Sequence, residues 1–259
     1  MLKALIGHTG FVGGNLASQV EFDATYNSTN IEAIRGQAYE LVVCAGAPGA
    51  KWKANRDPGG DRASIERLMS CLASVSADHA VLISTVDVYP EPIKVNEETA
   101  IEPIQQDQGS PYGRHRLQLE RFVSERFEST IVRLPALFGP GLKKNAIYDI
   151  LHDHQPERIC PDSVFQFYPA VRLWSDIELA RSRELRLVNF ATEPTSMSLV
   201  AKQAFGLELS SPTATTPVTY DMRTKYSSVF GKSGHYLYDK NDVLASLRTY
   251  LASQGWVRR

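Results

Sequence analysis

Three glycines near the start of the chain have a spacing that can bind phosphate. A short apolar segment, residues 2–6, leads into Gly7, Gly10 and Gly13 in the sequence G-H-T-G-F-V-G, and apolar residues then recur at helical intervals. Glycines permit a tight turn and a close approach to a pyrophosphate, and the N-terminus of the following helix presents N–H groups to it. Glycines also mark turns that bind no ligand, but a strand, a glycine turn and a helix in this order favour a dinucleotide site.

The next predicted strand, at about residues 24–28, should distinguish NAD from NADP. An Asp or Glu at its end would favour NAD, and an Arg would favour NADP. The strand ends instead in the neutral residues Asn27 and Ser28, while Asp23 comes too early to reach the ribose. The choice between NAD and NADP therefore stays open.

Strand and helix patterns alternate along the chain, and this alternation indicates the fold. Residues 41–45 and 80–84 are almost continuously apolar, as expected of parallel strands covered on both faces, and residues 61–75 have apolar side chains at helical spacing. The pattern predicts an α/β fold with a doubly wound parallel sheet, the Rossmann type.

Composition excludes several classes of protein. The 28 Lys and Arg residues balance 29 Asp and Glu residues, so no broad attraction for nucleic acid or anionic membranes is expected. No apolar segment approaches the length of a membrane span, and the first residues do not have the architecture of a signal peptide. The 3 scattered cysteines favour a reducing compartment, hence the cytoplasm. His152 and His154 lack an evident third ligand, so no metal site is expected.

Three further segments follow the glycine turn in order: S-T-V-D-V-Y at 84–89, S-P-Y-G-R at 110–114 and R-L-P-A-L-F-G-P-G at 133–141. With the glycine turn, they resemble the extended short-chain dehydrogenase/reductase superfamily, the group of nucleotide-sugar epimerases, reductases and dehydratases. The resemblance covers about residues 1–200. It implies an NAD(P)-dependent oxidoreductase or epimerase that acts on a hydroxyl or carbonyl of a sugar or nucleotide sugar by hydride transfer.

The resemblance also implies catalytic roles and one departure from the family pattern. Thr85 would orient the substrate oxygen, and Tyr112 would exchange a proton with it. Four residues later, where the family usually has lysine, this chain has Arg116. A free tyrosine titrates near pH ~10, so a fixed cation is needed to favour the phenolate. Arginine supplies the charge but stays protonated and cannot relay a proton.

Three hypotheses about function follow. In the first, Arg116 holds the ribose and supports an active Tyr112. In the second, the protein is a dinucleotide-binding sensor or scaffold that is catalytically weak or silent. A third and weaker hypothesis is that the protein binds a sugar nucleotide alone. Dehydratases of this family place an acidic pair after the threonine, and Val86 stands where the first acid would be, so dehydration is disfavoured.

The resemblance assigns further residues to the two ligands. The predicted cofactor contacts are Gly7, Thr9, Gly10, Phe11, Val12, Gly13, Asn27, Ser28, Ala45, Gly46, Ala47, Tyr112, Arg116, Pro135 and Leu137. The candidate substrate contacts are Asp87, Lys143, Asn145 and Arg172. Asp87 could equally be a polar residue at a strand end, and Lys143 could belong to a solvated loop.

Two regions are expected. Residues 1–141 would form the Rossmann core, and residues 142–259 a small substrate-side region from which a strand at about 185–191 returns to the sheet. A chain of 259 residues leaves little room for the usual substrate cap. By resemblance, helices at 61–75 and 112–126 occupy the positions through which the family commonly forms homodimers.

Overall fold

The structure, a computed structural model, describes residues 2–101, 109–210 and 216–256. Its strands are β1 (Lys3–Ile6), β2 (Ala24–Tyr26), β3 (Ala38–Cys44), β4 (Ser76–Thr85), β5 (Ile93–Val95), β6 (Ser129–Leu134), β7 (Ala136–Phe138), β8 (Val164–Phe165), β9 (Phe167–Pro169), β10 (Leu187–Asn189), β11 (Thr195–Ser196) and β12 (Asp221–Met222). Its α-helices are α1 (Phe11–Gln19), α2 (Lys51–Arg56), α3 (Pro58–Leu72), α4 (Pro111–Arg126), α5 (Ala146–Leu151), α6 (Leu173–Ser182), α7 (Met197–Val200) and α8 (Lys240–Ser253).

A sheet of six parallel strands in the order β10-β6-β4-β3-β1-β2 forms the centre of the fold. From β1 the chain passes through α1 to β2 on one side, and it then returns to β3 on the other side of β1. The return contains only the 3₁₀ turn Ile31–Ile34. Strand order therefore reverses at β1, and in such sheets ligands bind at the carboxyl ends of the strands beside the reversal.

Apolar side chains on both faces of this sheet are buried, which explains the almost continuous apolar strands. Along β1 and β3, alternate residues point to opposite faces. One face packs against α3 and α4 through Ile6, Val42, Ile65, Leu68, Leu119 and Val123. The other face packs against α1 and α6 through Leu5, Leu41, Val43, Leu16, Leu173 and Ile177. The predicted doubly wound α/β fold is confirmed.

The last third of the chain combines a sheet strand with a separate apolar cluster. The strand predicted at about 185–191 is β10, which pairs in parallel with β6 at the sheet edge. In α8 the residues Val243, Leu244, Leu247 and Leu251 are buried in a cluster with α5 and α7. The division of the chain at residue 141 remains a prediction.

A buried ion pair joins α4 to the sheet. The Arg133 guanidinium on β6 donates to Glu120 of α4, with Nη2 and Oε2 2.6 Å apart, and to the Tyr89 hydroxyl at 2.7 Å. Ser84 of β4 donates to the other Glu120 oxygen at 2.5 Å. Both charged side chains are almost fully buried. Because buried charges are tolerated only when they are paired and hydrogen-bonded, this network fixes α4 against the strand that ends at Thr85.

Two adjacent glycines of α1 should respond differently to alanine. A Cβ at Gly13 would lie 2.1 Å from the Gly7 carbonyl oxygen, whereas a Cβ at Gly14 would lie 3.6 Å from the His8 oxygen. We expect Gly13→Ala to lower the free energy of unfolding by ~1–3 kcal/mol, because the helix must move away from the strand. Gly14→Ala, the matched control, should be neutral or stabilising by up to ~1 kcal/mol, because alanine favours the helix. Urea unfolding measures both, and equal effects would contradict the close packing at Gly13.

Candidate functional site

A cavity of about 1140 Å³ lies at the carboxyl ends of the central strands. Ligand sites commonly measure ~300–1,000 Å³, so this cavity can take an extended ligand such as a dinucleotide. Its lining includes the predicted residues Thr9, Gly10, Phe11, Val12, Ala45, Ala47, Thr85, Asp87, Tyr112, Arg116, Pro135, Leu137, Lys143 and Asn145. The tertiary structure therefore brings together segments from β1 to the loop after β7.

The glycine turn has the geometry that a pyrophosphate requires. Gly7 has a φ of +89°, and a Cβ there would lie 2.3 Å from the Ala45 carbonyl oxygen. Helix α1 begins at Phe11, and its N-cap, Gly10, has no side chain that could cap the first N–H groups. These N–H groups and the positive end of the helix dipole therefore remain available to an anion. Gly7 and Gly13 allow the backbone of the turn to pack closely on its neighbours, and neither lines the cavity.

Thr85 and Tyr112 meet at the end of β4. Tyr112 lies in the first turn of α4, where Ser110 caps the helix by accepting from the Gly113 N–H at 3.2 Å. A Cβ at Gly113 would lie 1.9 Å from the Asp87 carbonyl oxygen, so this glycine lets α4 approach the strand end. Thr85 and Tyr112 both line the cavity at this point, and Thr85 is close enough to influence the Tyr112 hydroxyl.

The Tyr112 side chain is protonated at neutral pH. Its burial raises the pKa most, and the Asp87 carboxylate raises it further. The Arg116 guanidinium and the nearby Thr85 hydroxyl oppose this rise in the pKa without cancelling it. Tyr112 can therefore donate a proton to an oxygen held in the cavity, and Arg116 lowers the cost of the resulting phenolate.

Arg116 is buried and stacks on the ring of Tyr112, with its guanidinium carbon 4.0 Å from the ring centroid. Asp61 of α3 accepts from both Nη1 and Nη2. Nη1 also donates to the Tyr112 carbonyl at 3.3 Å and Nη2 to the Pro48 carbonyl at 2.5 Å. Among the described residues, Nε is buried without a partner. This leaves one of the five guanidinium N–H bonds for a ligand in the cavity.

Asp61 is the counter-ion of the buried Arg116, and it was not predicted from the sequence. Its Oδ2 also accepts a hydrogen bond from His115 Nδ1 at 2.7 Å. Burial raises the pKa of Asp61, but hydrogen bonds from Arg116 and His115 outweigh this and hold it below the ordinary value. A signal was present in the sequence, because Asp61 precedes Ile65 and Leu68 on the apolar stripe of its helix.

Next to Thr85 in the cavity, Asp87 is paired with Lys51 of α2. Lys51 Nζ lies 2.7 Å from Asp87 Oδ1 and 3.2 Å from the Tyr220 hydroxyl. Asn55, also on α2, accepts from the Tyr112 backbone N–H at 3.2 Å. Neither Lys51 nor Tyr220 could be predicted from the sequence, because Lys51 belongs to no motif and Tyr220 is 133 residues from Asp87 along the chain.

The loop that follows β7 forms part of the cavity mouth. Asn145 donates to the Leu137 carbonyl at 2.8 Å and accepts from the Tyr148 N–H at 3.1 Å, so it caps α5. Lys144 donates to the Gly49 carbonyl at 2.6 Å, which connects this loop to the segment after β3. Lys143 is exposed. The contacts of Asn145 are structural, and its role toward substrate stays a prediction.

Four other predicted residues do not line the cavity. Asn27 accepts from Thr29, and the Ser28 carbonyl accepts from Arg67 at 3.1 Å, so both lie at the end of β2 beyond the cavity lining. A Cβ at Gly46 would lie 2.7 Å from a methyl group of Ile6, so this glycine allows close packing of the strands. Arg172 precedes α6 with its guanidinium 5.8 Å from the Tyr238 ring centroid. Their ligand roles stay predictions.

The sequence model of the NAD dependent epimerase/dehydratase family matches residues 17–176. This chain belongs to that family. Membership confirms the resemblance and the predicted class of cofactor, NAD or NADP. The family consists of enzymes, and the match does not select one of its reactions. No curated protein matches the sequence significantly.

Solved structures of the family share the fold over almost the whole chain. The structure is similar to dTDP-4-dehydrorhamnose reductase from Bacillus anthracis str. Ames in complex with NADP, with a TM-score of 0.73, 16% identity and coverage of 98% of this chain and 99% of that one. For MoeE5 in complex with UDP-glucuronic acid and NAD the TM-score is 0.70, the identity 17% and the coverage 98% and 100%. For UDP-glucose 4-epimerase from Thermotoga maritima with UDP-glucose these values are 0.68, 16%, 98% and 99%.

Across residues 2–101, 109–210 and 216–256, no helix is long and apolar enough to cross a membrane. The same residues contain no group of three or more His, Cys, Asp or Glu that could hold a metal ion. Cys44, Cys71 and Cys160 are buried and free of disulfides.

The ion pair between Asp61 and Arg116 gives a stability prediction. Asp61→Asn removes the charge that compensates a buried guanidinium, and we expect a loss of ~3–5 kcal/mol in the free energy of unfolding. Because the pKa of Asp61 is lowered by folding, its contribution is present above the pKa of the unfolded chain and is lost as pH falls through the folded value. The difference between wild type and variant should therefore shrink in acid.

The matched control is Glu66→Gln on the same helix, which breaks an exposed ion pair with Arg62. Exposed pairs contribute ~0–1 kcal/mol, so this change should be nearly silent. Urea unfolding at several pH values checks both variants, and similar losses in the two would show that Asp61 does not compensate Arg116.

Proposed function

We propose that the protein is an NAD(P)-dependent oxidoreductase or epimerase that acts on a hydroxyl or carbonyl of a sugar or nucleotide sugar. The observation that carries this proposal is that Thr85 and Tyr112 lie together in the same cavity as the glycine turn. A proton donor beside a dinucleotide site is the arrangement needed to interconvert an alcohol and a carbonyl.

The residues present fit a nicotinamide cofactor. The N–H groups at the start of α1 would bind the pyrophosphate, Arg116 Nε would donate to the ribose beside the nicotinamide, and Pro135 and Leu137 would line the pocket of the ring. When bound, the cofactor supplies the acceptor or donor of hydride. The 2′ group of the cofactor stays unassigned, since Asn27 and Ser28 at the end of β2 are neutral.

The chain itself handles the proton. In reduction, Tyr112 donates its phenolic proton to the substrate oxygen, which the Thr85 hydroxyl orients by hydrogen bonding. In oxidation, the Tyr112 phenolate accepts the proton from the substrate hydroxyl. Arg116 stabilises that phenolate through its charge on the ring face. Since Arg116 stays protonated, it does not pass the proton onward.

Dehydration is the reaction least suited to this site. Val86 stands where the family's dehydratases have their first acid, and its apolar side chain is 5% exposed. Reduction, oxidation and epimerisation need only the Thr85 and Tyr112 pair. We also propose that the enzyme is a cytoplasmic homodimer that associates through α3 and α4, as the family resemblance implies.

A second candidate function is a catalytically silent dinucleotide binder that acts as a sensor or scaffold. It is favoured by the contacts of Arg116, because Asp61, Pro48 and the Tyr112 carbonyl bind four of its five N–H bonds. A guanidinium held in this way cannot move toward the cofactor as a flexible lysine could.

Tyr112→Phe tests the first candidate. We expect turnover of a nucleotide sugar to fall by ~10²–10⁴-fold, because the proton donor is removed, while affinity for NAD or NADP stays within about twofold. Absorbance of the reduced nicotinamide reports net oxidation or reduction, analysis of the product sugar reports epimerisation, and fluorescence titration reports cofactor affinity. Tyr250→Phe in the C-terminal cluster is the control and should behave as wild type. Undiminished hydride transfer in Tyr112→Phe would contradict the proposal.

Arg116→Lys separates the two candidates. If the enzyme is active, wild type transfers hydride, and the lysine variant retains transfer while losing stability, because one ammonium cannot reproduce the two contacts with Asp61. If wild type binds a dinucleotide without transfer and Arg116→Lys gains transfer, the sensor function is correct. The same absorbance assay reads both outcomes, and thermal unfolding reports stability.

A further inference from the structure

A polar cluster on the substrate side of the cavity takes no part in the proton transfer described above. It consists of Lys51, Asp87 and Tyr220, which come from α2, the turn after β4 and the segment before β12. Asp87 Oδ1 lies 2.7 Å from Lys51 Nζ and 3.3 Å from the Tyr220 hydroxyl, and Lys51 Nζ lies 3.2 Å from that hydroxyl. Three segments distant in the chain thus converge on one carboxylate oxygen.

This cluster adjoins the reacting groups. The Asp87 N–H donates to Thr85 Oγ1 at 3.2 Å, and the second carboxylate oxygen, Oδ2, lies 3.5 Å from the same hydroxyl. All three members of the cluster line the cavity together with Thr85 and Tyr112. A substrate with its reacting oxygen at Thr85 would therefore place its neighbouring substituents against Lys51 and Asp87.

The charges of the cluster cancel. Burial lowers the pKa of Lys51, but the Asp87 carboxylate outweighs this and holds the pKa above its ordinary value, so the ammonium is charged. The Asp87 side chain is only 16% exposed, and Lys51 is the cation that pairs with it. Elsewhere in the lining, Arg116 is neutralised by Asp61, whereas the cations Lys143 and Lys144 lie in the loop at the mouth, where Lys144 donates to the Gly49 carbonyl.

The pair can still bind a hydroxyl group. An ammonium has three N–H bonds, and Asp87 and Tyr220 use two of those of Lys51, so a third can point to a ligand. Among the described residues, Asp87 Oδ2 makes only the long contact with Thr85, so it can accept from a ligand. A hydroxyl both accepts and donates, so it can bridge Lys51 and Asp87 without separating them.

A carboxylate on the substrate would bind less well than a hydroxyl. It would lie against the negative Asp87, or it would have to displace Asp87 from Lys51. Displacement leaves a mostly buried carboxylate without its counter-ion, which is strongly unfavourable. A site whose own ion pair is complete thus discriminates against an added charge.

We infer that Lys51, Asp87 and Tyr220 form the subsite that binds substrate hydroxyl groups next to the reacting carbon, and that this subsite selects an uncharged sugar over a sugar acid. The inference rests on the proposed function, since it takes a sugar nucleotide as the substrate. Lys51 and Asp87 are specificity-determining residues, and Tyr220 is a positioning residue that holds the pair.

The test uses matched sugar nucleotides that differ only in a hydroxymethyl or carboxylate group at C6: UDP-glucose with UDP-glucuronate, and dTDP-glucose with dTDP-glucuronate. Calorimetry measures their binding to the full chain saturated with NAD or NADP. We expect wild type to bind the uncharged member of a pair ~10-fold or more tightly, equivalent to about 1.4 kcal/mol. In Asp87→Asn the unpaired ammonium of Lys51 should shift this ratio at least ~10-fold toward the uronate.

Lys51→Met provides a second variant with the opposite charge change. It leaves Asp87 without a counter-ion, so both ligands should bind less tightly and the preference against the uronate should persist. Lys53→Met on the same helix removes an exposed lysine that does not line the cavity, and it should leave both affinities unchanged. Circular dichroism checks that each variant is folded.

Three results would overturn the subsite: tighter binding of the uronate by wild type, an unchanged ratio in folded Asp87→Asn, or no binding of any of the four probes by the cofactor-saturated chain. These results are distinct from failure of the proposed function. Calorimetry needs no turnover, whereas the proposed function fails when hydride transfer is absent or does not depend on Tyr112.

Discussion

The site depends on a guanidinium that is buried against an aromatic ring. Arg116 is 2% exposed and stacks on Tyr112, and a buried charge is tolerated only when a counter-ion and hydrogen bonds compensate it. Asp61 supplies the counter-ion from α3, and the Pro48 carbonyl supplies a further acceptor from the segment after β3. Helices α3 and α4 must therefore lie side by side on one face of the sheet. The ion pair between Arg116 and Asp61 therefore determines where the Tyr112 ring lies.

A second buried ion pair fixes the next turn of α4 against the sheet. Arg133 and Glu120 join the helix to β6, and Ser84, the residue before Thr85, donates to the same carboxylate. About one turn before Arg116, Gly113 allows the helix to touch the Asp87 carbonyl. Thr85 and Tyr112 are thus held by a strand and a helix whose separation is determined by three independent contacts. Rigid elements of this kind hold reacting groups more precisely than loops do.

The two sides of the cavity have different origins. The cofactor side uses the reversal of strand order at β1 and the glycine turn, both from the first part of the chain. The side proposed for the substrate combines α2, the loop at residues 140–145 and residues of the last third, among them Gln166 and Tyr220. The short connection between β2 and β3 and the compact C-terminal cluster leave the sheet and its cavity intact.

Local patterns in the sequence determined the fold class, the glycine turn, the strand at 185–191 and the candidates Thr85 and Tyr112. Periodicity, glycine spacing and motif order are properties of neighbouring residues, so they can be read without coordinates. The partners of Arg116 and Asp87 were decided only by the tertiary structure, because Asp61 and Tyr220 lie 55 and 133 residues away along the chain. The same holds for Asn27, Ser28 and Arg172, whose positions outside the cavity lining depend on how strand ends and loops pack. Residue type shows that a buried charge needs a partner, but only the packing of helices and strands selects that partner.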